Sequence, residues 1–215
     1  IPAPYWVSYP QMVKIADGIP IIVKCSQKDS FKMSPESLEK ALTSKTRWLL
    51  LNSPGNPTGT VYSREELVEF SNILKRYPDV SIMCDDIYEK IIFDDLEFYT
   101  LAQVAPDLSD RVLTVNGVSK AYAMTGWRIG YAGGNKSLIA AMVKLQGQST
   151  TNASSVSQAA ALSALSSGQL FLEEWKIEYQ KRRDLISDLL GNFFPSSLVN
   201  PKGAFYHFIS CKPFL

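Results

Sequence analysis

A handful of side chains along this chain would suit one particular piece of chemistry. Lys120 lies in "VNGVSKAYAMTGWRIGY", residues 115–131, among small and apolar neighbours, with Ser119 directly before it and Arg128 eight positions later. A lysine in such surroundings can be desolvated, which lowers its pKa and makes its amine nucleophilic toward a carbonyl. An aldehyde cofactor held as a Schiff base needs that amine. It also needs an anion for its pyridinium nitrogen, a hydrogen-bond donor for its phenolic oxygen and a cation for its phosphate. The chain offers Asp85 for the first, Tyr88 with Asn56 for the second, and Arg128 with Ser119 for the third. Arginine suits a phosphate because its planar fork engages two oxygens at once.

Each residue alone has a plainer reading. Lysines are mostly solvated. Asn56 stands in "LNSPGNPTGTVY", residues 51–62, which reads as turn punctuation between a strand and a helix. Asp85, in "MCDDIYEK", could be half of an acidic pair hydrating a sheet edge. Against these stands the ordered set, and the placing of its members at strand ends, where open α/β sheets bind ligands. A buried Asp85 would also need a cationic partner to offset its desolvation.

The elements that must position these groups alternate between strand and helix, which implies an α/β layered domain. Short apolar runs at 19–25, 47–52, 80–86, 111–117 and 128–134 predict buried strands. Ser34 followed by Pro35 predicts one helix start. Ser63 with Glu66 forms a capping box ahead of an apolar stripe of Leu67, Phe70 and Leu74. Helices are expected over 136–147 and 154–166, with a long amphipathic one over 169–190 that ends at Gly191. A proline-bearing loop and a strand in "GAFYHFIS", 203–210, are expected after it.

The bulk numbers exclude several classes. A formal net charge of +1 over 215 residues argues against a nucleic-acid surface. No apolar run is long enough to span a bilayer, and three widely spaced cysteines outside any metal pattern fit free thiols in a reducing, cytoplasmic compartment. Lys181, Arg182 and Arg183 read as a solvated helix face, with Glu178 placed to pair with Arg182. The single His207 reads as structural. The chain opens on Ile1 without a methionine and closes on "CKPFL" in mid-pattern, as a piece of a longer protein would.

In this order, "NSPGNPTG", "DDIYE" and "SKAYAMTGWRIGY" closely resemble class I, fold-type I pyridoxal-phosphate aminotransferases, and "PYWVSYPQM" resembles the bacterial aspartate aminotransferases among them. The resemblance implies a three-layer α/β/α large domain with a mostly parallel mixed sheet over 1–185, and the start of an α+β small domain over 186–215. It implies pyridoxal 5′-phosphate as cofactor, attached to Lys120. Asp85 would pair with the pyridine nitrogen, Tyr88 and Asn56 with the phenolic oxygen, and Arg128 with the phosphate. Asn56 would also meet the substrate carboxylate, and Trp6 would lie against cofactor and substrate. Many relatives carry a serine three residues before the lysine; here Gly117 stands there, and Ser119 would substitute. The implied reaction is transamination between aspartate and 2-oxoglutarate in a homodimer, with prephenate, aromatic and alanine aminotransferases as alternatives. An inactive scaffold is the alternative from another class. The family's upstream phosphate loop, its cross-dimer tyrosine and its distal substrate arginine are expected outside residues 1–215.

Overall fold

The computed structural model describes residues 1–194 and 198–211. Its centre is a four-stranded sheet of β3 (Trp48–Asn52), β4 (Ser81–Asp85), β5 (Val112–Gly117) and β6 (Gly130–Gly133), in that spatial order. The first three are parallel and β6 runs antiparallel to β5. A separate parallel pair joins β1 (Pro2–Ala3) to β2 (Val23–Lys24). Helices α1 (Ser8–Ile15), α2 (Pro35–Ala41), α3 (Arg64–Leu74), α4 (Leu101–Val104), α5 (Lys136–Gly147), α6 (Ser155–Ser166) and α7 (Leu170–Gly191) fill the connections.

Strand alternation puts Leu49 and Leu51 of β3 beside Ile82 and Cys84 of β4 on one face. That face packs on Leu38 of α2, Leu67, Phe70 and Leu74 of α3, and Leu101 of α4. Phe70 and Leu74 are fully buried, and burying each contributes about 1.5–3 kcal/mol. The predicted starts of α2 and α3 form as expected. Ser34 Oγ accepts from Ser37 N, and the Ser63–Glu66 capping box closes in both directions.

Register then does the work of assembling a site. Asn52 pairs with Asp85 across β3 and β4, and Asp85 with Val115 across β4 and β5. The carboxyl ends of all three parallel strands therefore lie side by side. Gly117 pairs with Gly130 of β6, and a Cβ added at Gly117 would stand 2.8 Å from the Ile129 carbonyl. Close approach of β6 thus leaves no space for a side chain at 117.

Four expectations need correction. The strand predicted as buried at 128–134 forms over Gly130–Gly133 but is mostly exposed, because it lies at the edge of the sheet. Within 19–25 only Val23 and Lys24 form a strand, because only Val23 N and Cys25 N find ladder acceptors, at Ile1 O and Ala3 O. Ile19 and Ile21 are exposed rather than buried. Residues 203–210 form no strand: Gly203 makes a single bridge to Ile92, and Ala204 turns left-handed at φ 57°. The proline-bearing loop lies partly outside the described residues. Arg183, read as part of a solvated face, is buried, since successive helical positions point in different directions. Its guanidinium grips Asp94 with two bonds (Nη2 to Oδ1 at 2.5 Å, Nη1 to Oδ2 at 3.1 Å) and donates to Pro201 O at 2.9 Å. Arg182 does face solvent and pairs with Glu178 at 3.0 Å, as the spacing predicts.

Candidate active site

The strand ends carry the polar groups. Asp85, the last residue of β4, accepts from Tyr9 Oη at 2.5 Å and from Ile87 N at 3.4 Å. Its backbone oxygen accepts from Asn52 Nδ2 at 2.8 Å, while Asn52 Oδ1 accepts from Asn56 N at 2.8 Å. Asn52 thereby ties the tip of β4 to the following loop, and so orients Asn56. Burial pushes the Asp85 carboxyl above its ordinary value, and the bonds from Tyr9 and Ile87 offset this only in part. Among the described residues no cationic side chain pairs with it. Asp85 is a partly buried carboxylate that lacks a counter-charge among them.

Tyr88 sits three residues on, buried, with its hydroxyl 2.6 Å from that of Tyr206 and the Asn56 side chain as a further partner. Burial above all holds its phenol well above the ordinary range, so it stays protonated, and either hydroxyl of the Tyr88–Tyr206 pair can be the donor. Lys120 follows β5 in a turn anchored by fully buried Val118 and by Ala121. Its Nζ lies 5.9 Å from the centroids of both the Tyr88 and Phe205 rings. Among the described residues it forms no ion pair. An amine resting between two aromatic faces, with no carboxylate to hold it, is free to react with a carbonyl.

A model of the aminotransferase class I and II family matches residues 1–214. The chain belongs to that family. It is 53% identical to the probable aspartate/prephenate aminotransferase of Rickettsia felis over 211 residues, covering 98% of this chain and 52% of the relative. The aspartate/prephenate aminotransferase of Cereibacter sphaeroides is also 53% identical, over 206 residues, with 96% and 52% covered. The crystal structure of an aspartate aminotransferase from Rhizobium meliloti superposes with a TM-score of 0.93 at 47% identity, covering 98% of this chain and 52% of that one. The chain spans about half the length of the curated relatives it matches. Its mixed sheet with flanking helices is the α/β architecture of the aminotransferase large domain.

Within this aminotransferase-family chain, the structure brings Asp85, Tyr88, Asn56 and Lys120 to the same strand ends. Trp6 is at their margin, 43% exposed, with its ring edge-on to Tyr9 at 5.4 Å. Arg128 is exposed and left-handed at φ 55°, and its Nη1 donates to Thr125 O at 2.9 Å, at the end of a short 3-10 turn over Thr125–Trp127. It makes no hydrogen bond to Lys120, Ser119 or Asp85, so the rest of its fork is open. Ser119 is half-buried beside Lys120. Among the described residues no cluster of potential ligands could hold a metal ion, and no helix is long and apolar enough to cross a membrane.

Sequence reasoning missed Tyr9, Asn52 and Tyr206. Tyr9 follows Trp6 by three, a helical spacing that offered a signal. It also missed how two glycines bring distant segments together. Lys202 N and Gly203 N both donate to Gly59 O, at 2.9 and 3.0 Å, and Ala204 N donates to Ile91 O at 2.9 Å. Gly59 is left-handed at φ 68°, and a Cβ there would lie 2.3 Å from Pro201 Cβ. Only glycines allow the Asn56 loop and the Tyr206 segment this close an approach.

Proposed function

We propose that this chain forms the cofactor-binding part of a pyridoxal-phosphate-dependent aminotransferase, in which Lys120 carries the cofactor. The observation that carries this reading is Asp85: a partly buried carboxylate with no cationic partner among the described residues, at strand ends that also hold Lys120, an amine with no ion pair among them. A protonated pyridine nitrogen supplies the missing positive charge, and an aldehyde gives Lys120 a partner. The residues present therefore fit the group. When bound, the cofactor supplies an electron sink for the bond broken at the substrate α-carbon.

This chain's own residues would do the rest. Asp85 keeps the ring nitrogen protonated, with Tyr9 fixing the carboxylate's position. Tyr88 and Asn56 bond the phenolic oxygen, and Arg128 and Ser119 take the phosphate. Lys120, once freed by the substrate amine, would take the proton from the substrate α-carbon as general base and, as general acid, deliver it to the cofactor carbon it had been bound to. Asn56 meets the substrate carboxylate and Trp6 covers the bound pair.

For substrates we propose aspartate with 2-oxoglutarate. Prephenate is a second reading, favoured by the names of the relatives that share 53% identity. We further propose that residues 1–185 form the cofactor-binding unit and 186–215 begin the next, and that the protein works as a homodimer in the cytoplasm. Exposed Val143, Leu145, Leu162 and Leu165 on α5 and α6 support a covered face of this kind. The test is borohydride reduction of the protein with pyridoxal phosphate, followed by peptide mapping. The pyridoxyl group is expected on Lys120; label on Lys136 or Lys144 instead would refute the assignment.

A further inference from the structure

Tyr206 has no place in the chemistry described so far, yet its hydroxyl stands 2.6 Å from that of Tyr88. The contact is well supported on both sides. Tyr206 packs edge-on against Tyr88 with ring centroids 5.7 Å apart, and Phe205 packs edge-on against the same ring at 5.4 Å. The segment behind them is pinned by Gly203 on Gly59, by Ala204 on Ile91, and by Arg183 on Pro201 O.

A phenol has one proton to give and two lone pairs to receive. Tyr88 has two polar neighbours within the chain, the Tyr206 hydroxyl and the Asn56 side chain. Among the described residues the Tyr206 hydroxyl has no other hydrogen-bond partner, so its proton is available to Tyr88. If Tyr206 and the Asn56 amide both donate, the acceptor capacity of Tyr88 is filled. Its own proton must then point elsewhere. The side of the ring occupied by Lys120 Nζ is the one that faces the candidate site.

We infer that Tyr206 is a positioning residue that donates to Tyr88 and commits the Tyr88 proton to the phenolic oxygen of a cofactor on Lys120. The inference rests on the proposed function. A phenol that accepts a hydrogen bond is also a stronger donor, because bonds in a chain polarise one another. A stronger bond to the phenolic oxygen stabilises its ionised form, which lowers the pH at which the bound chromophore loses its proton. The charged and titratable groups that would surround that chromophore are Lys120, Asp85, Tyr9, Tyr88 and Arg128, and Tyr206→Phe leaves all of them in place.

The experiment is a pH titration of the visible absorbance of pyridoxal phosphate bound to the protein, for the unmodified chain, Tyr206→Phe, Tyr88→Phe and the double variant. Tyr206→Phe should raise the midpoint by about 0.1–0.6 pH unit, about a tenth to a third of one hydrogen bond to a charged oxygen. In the Tyr88→Phe background it should add nothing, since the effect passes through Tyr88. An unchanged midpoint, a lowered one, or an equal shift without Tyr88 would overturn the inference. Borohydride mapping on the same samples separates the two ideas. Label on Lys120 with an unmoved midpoint sinks the role of Tyr206 alone, whereas label elsewhere in the unmodified chain removes the proposed function and this inference together. Tyr206→Phe deletes one oxygen, and its melting midpoint checks that it folds. Should it fail to fold, Tyr206→His keeps a hydrogen-bonding ring and should leave the midpoint near that of the unmodified chain. A midpoint in Tyr206→His raised as far as that of Tyr88→Phe would also overturn the inference.

Discussion

Asp86→Asn should make this chain's stability less sensitive to pH. Asp86 is only 4% exposed. Burial lifts its carboxyl from 3.8 to about 7, and the nearby carboxylates of Glu89 and Asp85 push the same way. Between those two values the unfolded chain gives up a proton that the folded chain keeps, so stability falls as pH rises through the window. The contribution is fully present below 3.8 and gone above about 7. A shift of about three units at about 1.36 kcal/mol each amounts to about 4 kcal/mol. Asparagine has the same shape and no proton to lose. Urea unfolding of both chains at about pH 4 and about pH 8 isolates the effect, because other titrating groups cancel in the difference between chains. The variant should gain several kcal/mol relative to the parent on going from the lower pH to the higher. An equal difference at both pH values would show that Asp86 is ionised in the folded chain and that this reasoning is wrong.

Tyr9→Phe removes the donor to Asp85 Oδ2, and a bond to a charged group is worth about 1.5–3 kcal/mol; cofactor affinity read by absorbance titration should fall by about tenfold or more, and unchanged affinity would remove Tyr9 from the site. Asp85→Ala should lower turnover by orders of magnitude while the melting curve persists, whereas full activity would return Asp85 to a strand-end role. Gly203→Ala places a Cβ 2.8 Å from Ile91 O and from Pro54; overpacking of this kind costs about 1–3 kcal/mol, read as a lower melting midpoint, and an unchanged midpoint would mean the two segments separate freely. Arg183→Met leaves Asp94 with Lys202 alone and should cost about 2–3 kcal/mol, less than the full loss of a buried pair. Arg183, first among its partners, holds the Asp94 carboxyl down at about 2. That stability is present above 3.8 and lost as pH falls toward 2, so acid unfolding of the variant should be shallower.

The parts of the fold that were legible in the sequence were those governed by local rules. The capping box at Ser63, the N-cap at Ser34 and the apolar stripe of α3 all depend on residues within a turn or two of each other, and each appears where its spacing predicts. Strands β3 to β5 were legible because their apolar runs are short and bounded by polar or turn residues; β6 forms where expected but as an exposed edge strand rather than a buried one. Segments whose fate depends on a distant partner were not. The run at 19–25 is apolar enough for a strand, yet only two of its residues meet a ladder. Residues 203–210 alternate properly, but alternation does not supply a neighbouring strand. Arg183 shows the same limit for charge, since its burial is decided by Asp94, 89 positions away in sequence. In the candidate site, Asn56, Asp85, Tyr88 and Lys120 were legible because their chemical types form a recognisable set. Tyr9, Asn52 and Tyr206 contact that set through one or two hydrogen bonds each, and nothing in an isolated tyrosine or asparagine announces such a bond.

The adjacent carboxylates at the end of β4 illustrate why the set works as a unit. Asp85 and Asp86 are both pushed upward by burial, and Asp85 makes the ionisation of Asp86 harder. Two negative charges so close in a region of low dielectric could not both persist without strong compensation. The structure divides them by surroundings. Asp85 receives the Tyr9 hydroxyl and the Ile87 amide, bonds that favour its charged form. Asp86 lies buried near Glu89, which favours its neutral form. These surroundings favour charge on Asp85 over Asp86, so a cation arriving at the strand ends meets Asp85 as the more readily ionised carboxylate. Binding such a cation would in turn relieve Asp85's repulsion of Asp86 and lower the Asp86 pKa, so cofactor uptake and Asp86 ionisation should be linked. In the Asp86→Asn variant that linkage disappears. Cofactor affinity in the parent should rise with pH toward about 7 as Asp86 ionises; in the variant that rise should be absent, leaving it weaker than the parent at the upper end. A pH profile identical to that of the parent would mean that the two carboxylates do not communicate, and that Asp85 owes its charge to Tyr9 and Ile87 alone.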